Sequence, residues 1–282
     1  PNVKMISIFG VGYDGIDVAA AQERGIQVTH TPDVLTDDVA DLAMGLILSI
    51  GRRIPQSDKF VRNGDWVSEP FTMTHKVTGT RLGVVGLGRI GQAIAKRAAA
   101  FDMTIAYTGR RAKTNAPFRY YPTASELAAN SDYLVVAVPG GDDTKNMINA
   151  QVLKALGPKG IVINIARGSV VDQTALIQAL KDKSIAGAGL DVFWDEPNID
   201  PQFFKLQNVV LTPHIASATV PTRRAMADLA AAVDTVVATV TTVAAALAVA
   251  ATLAATARVV GLIAHRVLVA HATVAHQTPK SR

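Results

Sequence analysis

The sequence contains no cysteine, and only 5% of its residues are aromatic. Without cysteine the chain can form no disulfide, offers no thiol nucleophile and cannot bind a metal through thiolates. No stretch before the first predicted strand resembles a signal peptide, so we expect a cytoplasmic protein. With 282 residues, 49% of them hydrophobic, the chain has the composition of a globular protein and the length for two domains.

Acidic residues are also absent after Asp234, and this absence accounts for most of the net charge of +5. The rest of the chain is nearly neutral, with 24 basic and 23 acidic residues, so a basic surface for nucleic acid is not indicated. We therefore expect no nucleic-acid partner. The charged residues beyond Asp234 are Arg258, Arg266, Lys280 and Arg282.

Residues 235–282 lack the features of a membrane span. The first 23 of them carry no charge, which is long enough to cross a bilayer. However, this stretch has only two leucines, no isoleucine and no aromatic residue, and it is rich in β-branched residues. We interpret residues 235–282 as an atypical Ala/Val/Thr-rich tail, and we expect no membrane contact there. We also expect no metal site at its histidines, which are His265, His271 and His276.

A glycine motif stands out among the features that are present. Gly86-x-Gly88-x-x-Gly91 follows the apolar run 82–85, which predicts a buried strand, and precedes the Ala-rich stretch 92–100, which predicts a helix. In this setting the first glycine permits a tight turn, the second lets a pyrophosphate approach, and the third lets helix and strand pack closely. The helix N-terminus adds unpaired donors for an anion. The motif predicts dinucleotide binding; the alternative is an ordinary strand-to-helix turn.

Strands and helices alternate along the chain around this motif. Such alternation predicts a doubly wound parallel α/β sheet, a Rossmann fold, which binds its ligands beyond the carboxyl ends of the strands. Residues 36–54 predict a long helix with Thr36 as its cap and Arg52 and Arg53 in its last turn. Residues 64–79 are predicted to form a loop. Strands are predicted at 5–9, 26–29, 104–107, 133–138, 161–165, 187–192 and 209–211, and further helices at 17–24, 125–130, 150–156, 174–181 and 221–233.

Polar residues follow three of the predicted strands, and each is of a type that hydride-transfer chemistry requires. Arg167 can bind a carboxylate and a carbonyl with its planar fork of donors. His214 can exchange the proton of a 2-keto or 2-hydroxy acid near neutral pH. Glu196 can orient such an imidazole and favour its protonated form. Taken singly, the three could be a solvated loop charge, a turn residue and a structural histidine.

The chain resembles the D-isomer-specific 2-hydroxyacid dehydrogenase family, most of all its hydroxypyruvate/glyoxylate reductases and hydroxyphenylpyruvate reductases. The resemblance covers residues 1–229 and includes the spacing of Arg167, Glu196 and His214. It is carried by GVGYDGID (10–17), TPDVLTDDVAD (31–41), GLGRIG (86–91), NIARGSVVD (164–172), AGLDVFWDEP (188–197) and PHIASAT (213–219).

The resemblance implies a role for each matching site residue. Arg167, Glu196 and His214 would be catalytic, with Glu196 as the partner of the histidine. The substrate would be bound by Val11 and Gly12 through their backbone N–H groups, and by Arg167, His214 and Ser217. The cofactor would be bound by Gly86, Leu87, Gly88, Arg89, Ile90, Gly91, Thr108, Arg110, Arg111, Val138, Pro139, Thr144, Ile165, Ala166 and Asp191.

The resemblance also implies a domain arrangement. Residues 32–220 would form the dinucleotide-binding domain. Residues 1–31 and 221–234 would be remnants of a second, flavodoxin-like substrate domain that is largely missing at the N-terminus. Members of the family are dimers that use the loop around Trp66 for contacts, so we expect a homodimer, although Trp66 could instead be a core residue.

The residues after the second strand of the nucleotide-binding unit indicate the cofactor. A site for NAD requires a carboxylate there to accept from the ribose hydroxyls. This sequence has Thr108 where relatives that use NAD carry aspartate, followed by Arg110 and Arg111, which can bind a 2′-phosphate. We therefore predict NADP in preference to NAD; the alternative is a pair of solvated arginines in a turn.

Together these features predict an oxidoreductase that transfers a hydride from NADPH to a short 2-keto acid, of the glyoxylate or hydroxypyruvate class, to give the D-2-hydroxy acid. The alternative is a non-catalytic, nucleotide-sensing binding module of the same fold, similar to a corepressor. Such modules bind peptides through the substrate domain, and they can retain the same three polar residues. No metal is expected in either case.

Overall fold

Two parallel sheets form the framework of the protein. The computed structural model describes residues 3–232, and within them the chain forms nine strands and seven complete α-helices. The strands are β1 (Met5–Ile8), β2 (Gln27–His30), β3 (Arg81–Val85), β4 (Thr104–Thr108), β5 (Arg119–Tyr120), β6 (Tyr133–Val136), β7 (Ile161–Asn164), β8 (Gly187–Leu190) and β9 (Val209–Leu211). The helices are α1 (Val18–Glu23), α2 (Thr36–Gly51), α3 (Ile54–Arg62), α4 (Arg89–Ala99), α5 (Ala124–Ala129), α6 (Ala150–Leu156) and α7 (Gln173–Lys181).

The larger sheet has seven strands in the order β5–β4–β3–β6–β7–β8–β9, and every neighbouring pair is parallel. From β3 the chain first builds outward through β4 to β5, then returns to the other side of β3 and builds outward again from β6 to β9. This order confirms the doubly wound Rossmann sheet. The direction of building reverses between β3 and β6, so a ligand crevice is expected at the carboxyl ends of these two strands.

Both faces of the large sheet are covered by helices, and most residues of its strands are accordingly buried. On one face, Leu46 and Ile47 of α2 and Ile94 of α4 are buried against the strands. On the other face, residues of α5, α6 and α7 form a second buried cluster. Each fully buried leucine or isoleucine contributes about 1.5–3 kcal/mol through burial. The two layers hold the strands in place, so the strand ends make a rigid platform.

The smaller sheet pairs β1 with β2 through α1, and it lies in the same compact unit, which ends at Ala230. Asp17 caps α1 by accepting from the Ala20 N–H at 2.9 Å. Residues 220–232 are helical. The division into domains 32–220 and 1–31 with 221–234 stays a prediction, and the interpretation of residues 235–282 concerns positions outside the described residues.

The helix predicted over residues 36–54 begins at Thr36 as predicted, but it ends at Gly51, and Thr36 is not its cap. The Thr36 N–H donates to the Asp33 carbonyl at 2.9 Å, so the chain already turns before Thr36. Leu35 therefore occupies the cap position, and no side chain caps the helix. At the other end Arg53 adopts a left-handed conformation with φ of 53°. This residue separates α2 from α3, a helix that the sequence analysis did not predict.

The loop predicted over residues 64–79 contains one 3-10 turn, Asp65–Val67, and exposes apolar side chains. Trp66 is 68% exposed, and its neighbour Val67 and the nearby Met73 are more than 90% exposed. Trp66 is therefore not a core residue. Among residues 3–232, no helix has the length and apolar character that crossing a membrane would require.

Candidate active site

The glycine turn after β3 has the geometry of a dinucleotide cradle. Gly86 has φ of +97°, and a Cβ there would lie 2.8 Å from the Ala137 carbonyl oxygen, so no side chain fits. A Cβ on Gly91 would overlap the carbonyl of Gly86, which shows how closely α4 approaches the turn. Around Gly88, in contrast, the space that a side chain would occupy is open. The turn is closed toward the protein and open outward, as a bound pyrophosphate requires.

The helix that starts at this turn leaves its first donors available. Gly88 is the N-cap of α4, and no side chain caps the helix. The N–H groups of the first turn, from Arg89 onward, therefore face the open space with the positive end of the helix dipole. The guanidinium of Arg89 points to a different partner, Asp33, at 2.6 Å. Leu87 and Ile90 complete the turn as apolar residues packed into the core.

The end of β4 lies next to the glycine turn. The Gly86 N–H donates to the Thr108 carbonyl at 3.0 Å, which places the last residue of β4 beside the first glycine. Arg110 and Arg111 follow in an exposed turn, and neither forms an ion pair with any described residue. Two unpaired cations, with no carboxylate at the strand end, suit a phosphate on the ribose better than a hydroxyl.

The loops after β6 and β7 form the opposite wall of the crevice. Val138 lies against Gly86, and a side chain on that glycine would clash with it. Thr144 donates its hydroxyl to the Pro139 carbonyl at 2.7 Å and so holds the loop after β6 in shape. Ile165 and Ala166 are buried directly after β7. The chain thus brings both predicted walls of the cofactor site to the carboxyl ends of the strands.

Glu196 and His214 form a direct pair at the ends of the neighbouring strands β8 and β9. The Glu196 Oε2 atom lies 2.6 Å from Nδ1 of the imidazole. The other carboxylate oxygen accepts from the Phe193 N–H at 2.8 Å, which fixes the carboxylate. The imidazole is half exposed, and its Nε2 has no hydrogen-bond partner among the described residues. The pair therefore leaves one nitrogen of an oriented imidazole without a partner among the described residues.

The backbone around His214 is held by the buried carboxylate of Asp191, the residue that directly follows β8. Asp191 is fully buried, and it accepts from the hydroxyl of Thr212 at 2.6 Å. It also accepts from the N–H groups of Ile215 and Ala216, both at 2.9 Å. These bonds hold the turn in which His214 adopts φ of 54°, a strained conformation for a non-glycine residue. The resemblance to the family implies a cofactor contact for Asp191, and no local sequence pattern indicates this structural role.

Arg167 extends from the end of β7, and two other polar residues fix its position. Asn164, itself buried, donates to the Arg167 carbonyl at 2.9 Å and accepts from the Ala166 N–H at 3.1 Å. The Nε atom of Arg167 contacts both carboxylate oxygens of Asp14, at 3.1 and 3.2 Å. Nη1 donates to the Ala166 carbonyl at 2.8 Å, and Nη2 has no partner among the described residues. The terminal edge of the guanidinium is thus available to a ligand.

A close backbone contact connects this arginine with the Glu196–His214 pair. A Cβ on Gly168 would overlap the backbone of Phe193 and Trp194. The Arg167 turn therefore packs directly on the segment that holds Glu196. Since β7, β8 and β9 are parallel neighbours, their polar residues emerge at one edge of the sheet. The structure places Arg167, Glu196 and His214 on this edge as a connected group.

The predicted substrate amides belong to the turn after β1, which reaches this edge through Asp14. A side chain at Gly12 would overlap Nη2 of Arg167, so the turn and the guanidinium are in contact. Ser217 lies further along, in the turn after His214, and its hydroxyl makes no hydrogen bond to a described residue. Asp14 and Asn164 stand inside motifs that the sequence analysis quoted, but their partners are set only by the fold.

Comparison with known proteins identifies the family of this chain. The sequence model described as "D-isomer specific 2-hydroxyacid dehydrogenase, NAD binding domain" matches residues 44–216. The chain belongs to the D-isomer-specific 2-hydroxyacid dehydrogenase family. Among curated members of the family, it is 52% identical over 229 residues to a hydroxyphenylpyruvate reductase of Plectranthus scutellarioides, covering 81% of this chain and 73% of that protein. It is equally similar, over the same lengths, to glyoxylate/hydroxypyruvate reductase A of Arabidopsis thaliana.

Solved structures of D-2-hydroxyacid dehydrogenases match this fold as well. An NADPH-dependent glyoxylate/hydroxypyruvate reductase from Sinorhizobium meliloti, crystallised with NADP and malonate, superposes with a TM-score of 0.78. It is 50% identical in sequence, and the match covers 80% of this chain and 72% of that one. A 2-hydroxyacid dehydrogenase from Ketogulonicigenium vulgare superposes with a TM-score of 0.77 at 47% identity, covering 82% of this chain and 73% of that one.

Proposed function

We propose that this D-2-hydroxyacid dehydrogenase reduces a short 2-keto acid, of the glyoxylate or hydroxypyruvate class, with NADPH to give the D-2-hydroxy acid. The single observation that carries the proposal is the oriented Glu196–His214 pair on the same edge as the open end of Arg167. A module that only senses nucleotides would need neither an aligned proton donor nor an open guanidinium. The names of the relatives, which are reductases of these acids, support the same class of substrate.

His214 is the proton donor in this proposal. When the keto carbon is reduced, its oxygen becomes an alkoxide and must receive a proton. Glu196 occupies Nδ1, so Nε2 is the atom that faces the substrate oxygen and delivers the proton. The carboxylate also keeps the imidazole in this orientation through its contact with Nδ1. In the proton transfer itself, Asp191 acts only through the position of the His214 turn.

Arg167 binds the substrate in this proposal through its terminal edge. Asp14 and the Ala166 carbonyl already take Nε and one donor of Nη1. The donors that remain lie side by side and match the carboxylate and the keto oxygen of a 2-keto acid. Val11 and Gly12 complete the anion site with backbone N–H groups. A Ser217 contact with the substrate is part of the same proposal.

NADPH is held by the glycine turn, the first turn of α4 and the loops after β4, β6 and β7. When bound, it supplies the hydride. Arg110 and Arg111 hold the 2′-phosphate. Position 108 is a threonine and therefore has no carboxylate that would repel the phosphate. Thr144 shapes the loop after β6, and Ile165 and Ala166 supply apolar surface beyond β7. Asp191 offers its second oxygen, which accepts a single N–H here, as a candidate partner for the cofactor amide.

A steady-state assay tests the proposal directly. Glyoxylate, hydroxypyruvate and hydroxyphenylpyruvate are offered to the full chain with NADPH and separately with NADH. We expect turnover of at least one of the two smaller acids, with NADPH preferred. Because glycolate, the product from glyoxylate, is achiral, chiral analysis is applied to the glycerate formed from hydroxypyruvate, which should be the D-isomer. Binding of NADPH without turnover of any 2-keto acid would contradict the proposal and favour a nucleotide-sensing module.

The proposal includes a cytoplasmic homodimer. Trp66, Val67 and Met73 expose a group of apolar side chains on the segment between α3 and β3, and such groups mark interaction surfaces. Sedimentation velocity tests the assembly, with Trp66→Ala and Val67→Ser as variants that should weaken the dimer. A monomer at every concentration would contradict it.

A further inference from the structure

The turn after β1 is fixed from behind by two residues of the next strand and its end. The Gly10 carbonyl accepts from the N–H of Thr31 at 2.9 Å and from its hydroxyl at 3.3 Å. The Val11 carbonyl lies 3.0 Å from Nδ1 of His30. A carbonyl can only accept, so Nδ1 must carry the proton. Two successive carbonyls of the turn are therefore held on the side of β2.

The geometry of the peptide bond fixes the direction of the N–H groups in this turn. In a planar trans peptide, the N–H of one residue points opposite to the C=O of the residue before it. With the Gly10 and Val11 carbonyls directed at Thr31 and His30, the N–H groups of Val11 and Gly12 are directed away from β2. Neither N–H has a hydrogen-bond partner among residues 3–232. The turn thus presents two adjacent donors.

The two donors belong to the turn that contacts the arginine of the candidate site. Nη2 of Arg167 occupies the place where a side chain on Gly12 would lie, and Asp14 holds the same guanidinium through Nε. Both N–H groups and the guanidinium are donors only, so the ligand that fits between them is an anion. The imidazole of His30 lies outside this space, where the edge-on ring of Tyr13, 5.7 Å away between centroids, fixes it.

We propose that His30 is a positioning residue that aims the Val11 and Gly12 amides at the carboxylate of the substrate. The proposal rests on the proposed function, since the carboxylate is that of the 2-keto acid. His30 touches neither substrate nor cofactor and acts only through the Val11 carbonyl. Its loss should therefore weaken binding of the substrate anion and leave the binding of NADPH unchanged.

The test compares two substitutions of His30, one that removes the N–H donor and one that retains an N–H donor. His30→Phe keeps an aromatic ring beside Tyr13 but removes the N–H, whereas His30→Asn places an amide N–H near the position of Nδ1. We expect the phenylalanine variant to raise the KM of the keto acid roughly tenfold, as loss of one hydrogen bond at an anion site does, with kcat changed less than twofold. The asparagine variant should stay within about threefold of the wild type. His75→Phe, on an exposed histidine outside the site, is the matched control.

A second readout separates this proposal from the proposed function. Titration calorimetry with malonate on the NADPH complex reports anion binding without turnover. We expect the malonate affinities of the variants to follow the same order as their KM values. Nitrogen NMR of the wild type should show Nδ1 of His30 as the protonated nitrogen. Absence of turnover by the wild type would contradict the proposed function alone. An unprotonated Nδ1, or equal malonate affinity and KM in folded His30→Phe and wild type, would overturn the role of His30.

Discussion

Two groups of polar residues lie on opposite sides of the large sheet, and their side chains are held in opposite ways. At the acid–base end, defined by Asp191, Glu196 and His214, each polar group is held by a neighbour in the same chain. At the phosphate end, defined by Arg110 and Arg111 after β4, the charged groups are exposed and unpaired among the described residues. Both ends lie at carboxyl termini of strands in one sheet.

The difference follows from what each end would do in the proposed function. Proton transfer requires an atom in a defined place, and a buried carboxylate with three donors fixes the His214 turn before any ligand arrives. Holding a phosphate requires charge more than exact placement, and long exposed arginines supply it. We therefore expect substitutions at the acid–base end to change the rate of chemistry, and substitutions at the phosphate end to change only the choice of cofactor.

The largest effect is expected at His214. His214→Ala removes the proton donor, and kcat should fall by roughly 10²–10⁴, the usual contribution of a positioned acid. The affinity for NADPH, measured by fluorescence titration, should stay within about twofold because His214 is not part of the phosphate end. A variant with near-native kcat would remove His214 from the mechanism.

A substitution of Asp191 tests how much of the contribution of His214 to kcat depends on the position of its imidazole. Asp191→Asn leaves one oxygen as acceptor and turns the other into a donor that faces an N–H of residues 215–216. We expect the free energy of unfolding to fall by about 1–3 kcal/mol and kcat to fall roughly tenfold or more. Asp195→Asn, an exposed neighbour, is the control and should alter neither. Denaturant unfolding and steady-state kinetics measure both; an unchanged kcat would show that the turn holds without the buried carboxylate.

The phosphate end is expected to give a smaller and more selective effect. Arg110→Ala should lower kcat/KM for NADPH roughly tenfold, as one charge-assisted hydrogen bond does, and leave NADH unchanged. Thr108→Asp should repel the 2′-phosphate and favour NADH. Parallel assays with both cofactors measure the ratio. Equal efficiency of the wild type with NADPH and NADH would contradict the assignment of this end.

The smallest effect is expected at the amino ends of the strands, far from either site. Arg81 pairs with Asp132 at 2.7 Å between β3 and the start of β6, and this hydrogen bond lowers the pKa of the carboxyl group. A lowered pKa stabilises the fold above the unfolded value of about 3.9, and the contribution is lost as the pH falls through the folded value. Because the pair is partly exposed, Asp132→Asn should cost about 1 kcal/mol or less at pH 7.

This pH dependence is measured by urea unfolding of wild type and Asp132→Asn at pH 7 and pH 3. The difference between the two proteins should shrink at the lower pH, and kcat should be equal at pH 7. A difference that grows on acidification would contradict the sign of the shift.

The sequence predicted the sheet and the edge on which the site lies, because apolar strands and their flanking polar residues are local patterns. The same patterns missed α3, since Arg53 breaks the helix in a conformation that usually signals itself by glycine or asparagine. They missed β5, because a strand of two residues is too short to show an alternating pattern of polar and apolar residues. They also missed the partners of Asp14 and Asp191, because each partner is distant in sequence or follows from the folded shape of a turn.

The contact between Asp14 and Arg167 joins residues 153 positions apart. During synthesis, at about 5–20 residues per second, Asp14 leaves the ribosome roughly 8–30 s before its partner. For that interval a nascent chain carries the amide turn without the guanidinium that completes it. The proposed anion site of Val11, Gly12 and Arg167 is therefore completed late in translation, and a chain released before residue 167 contains only its amide turn.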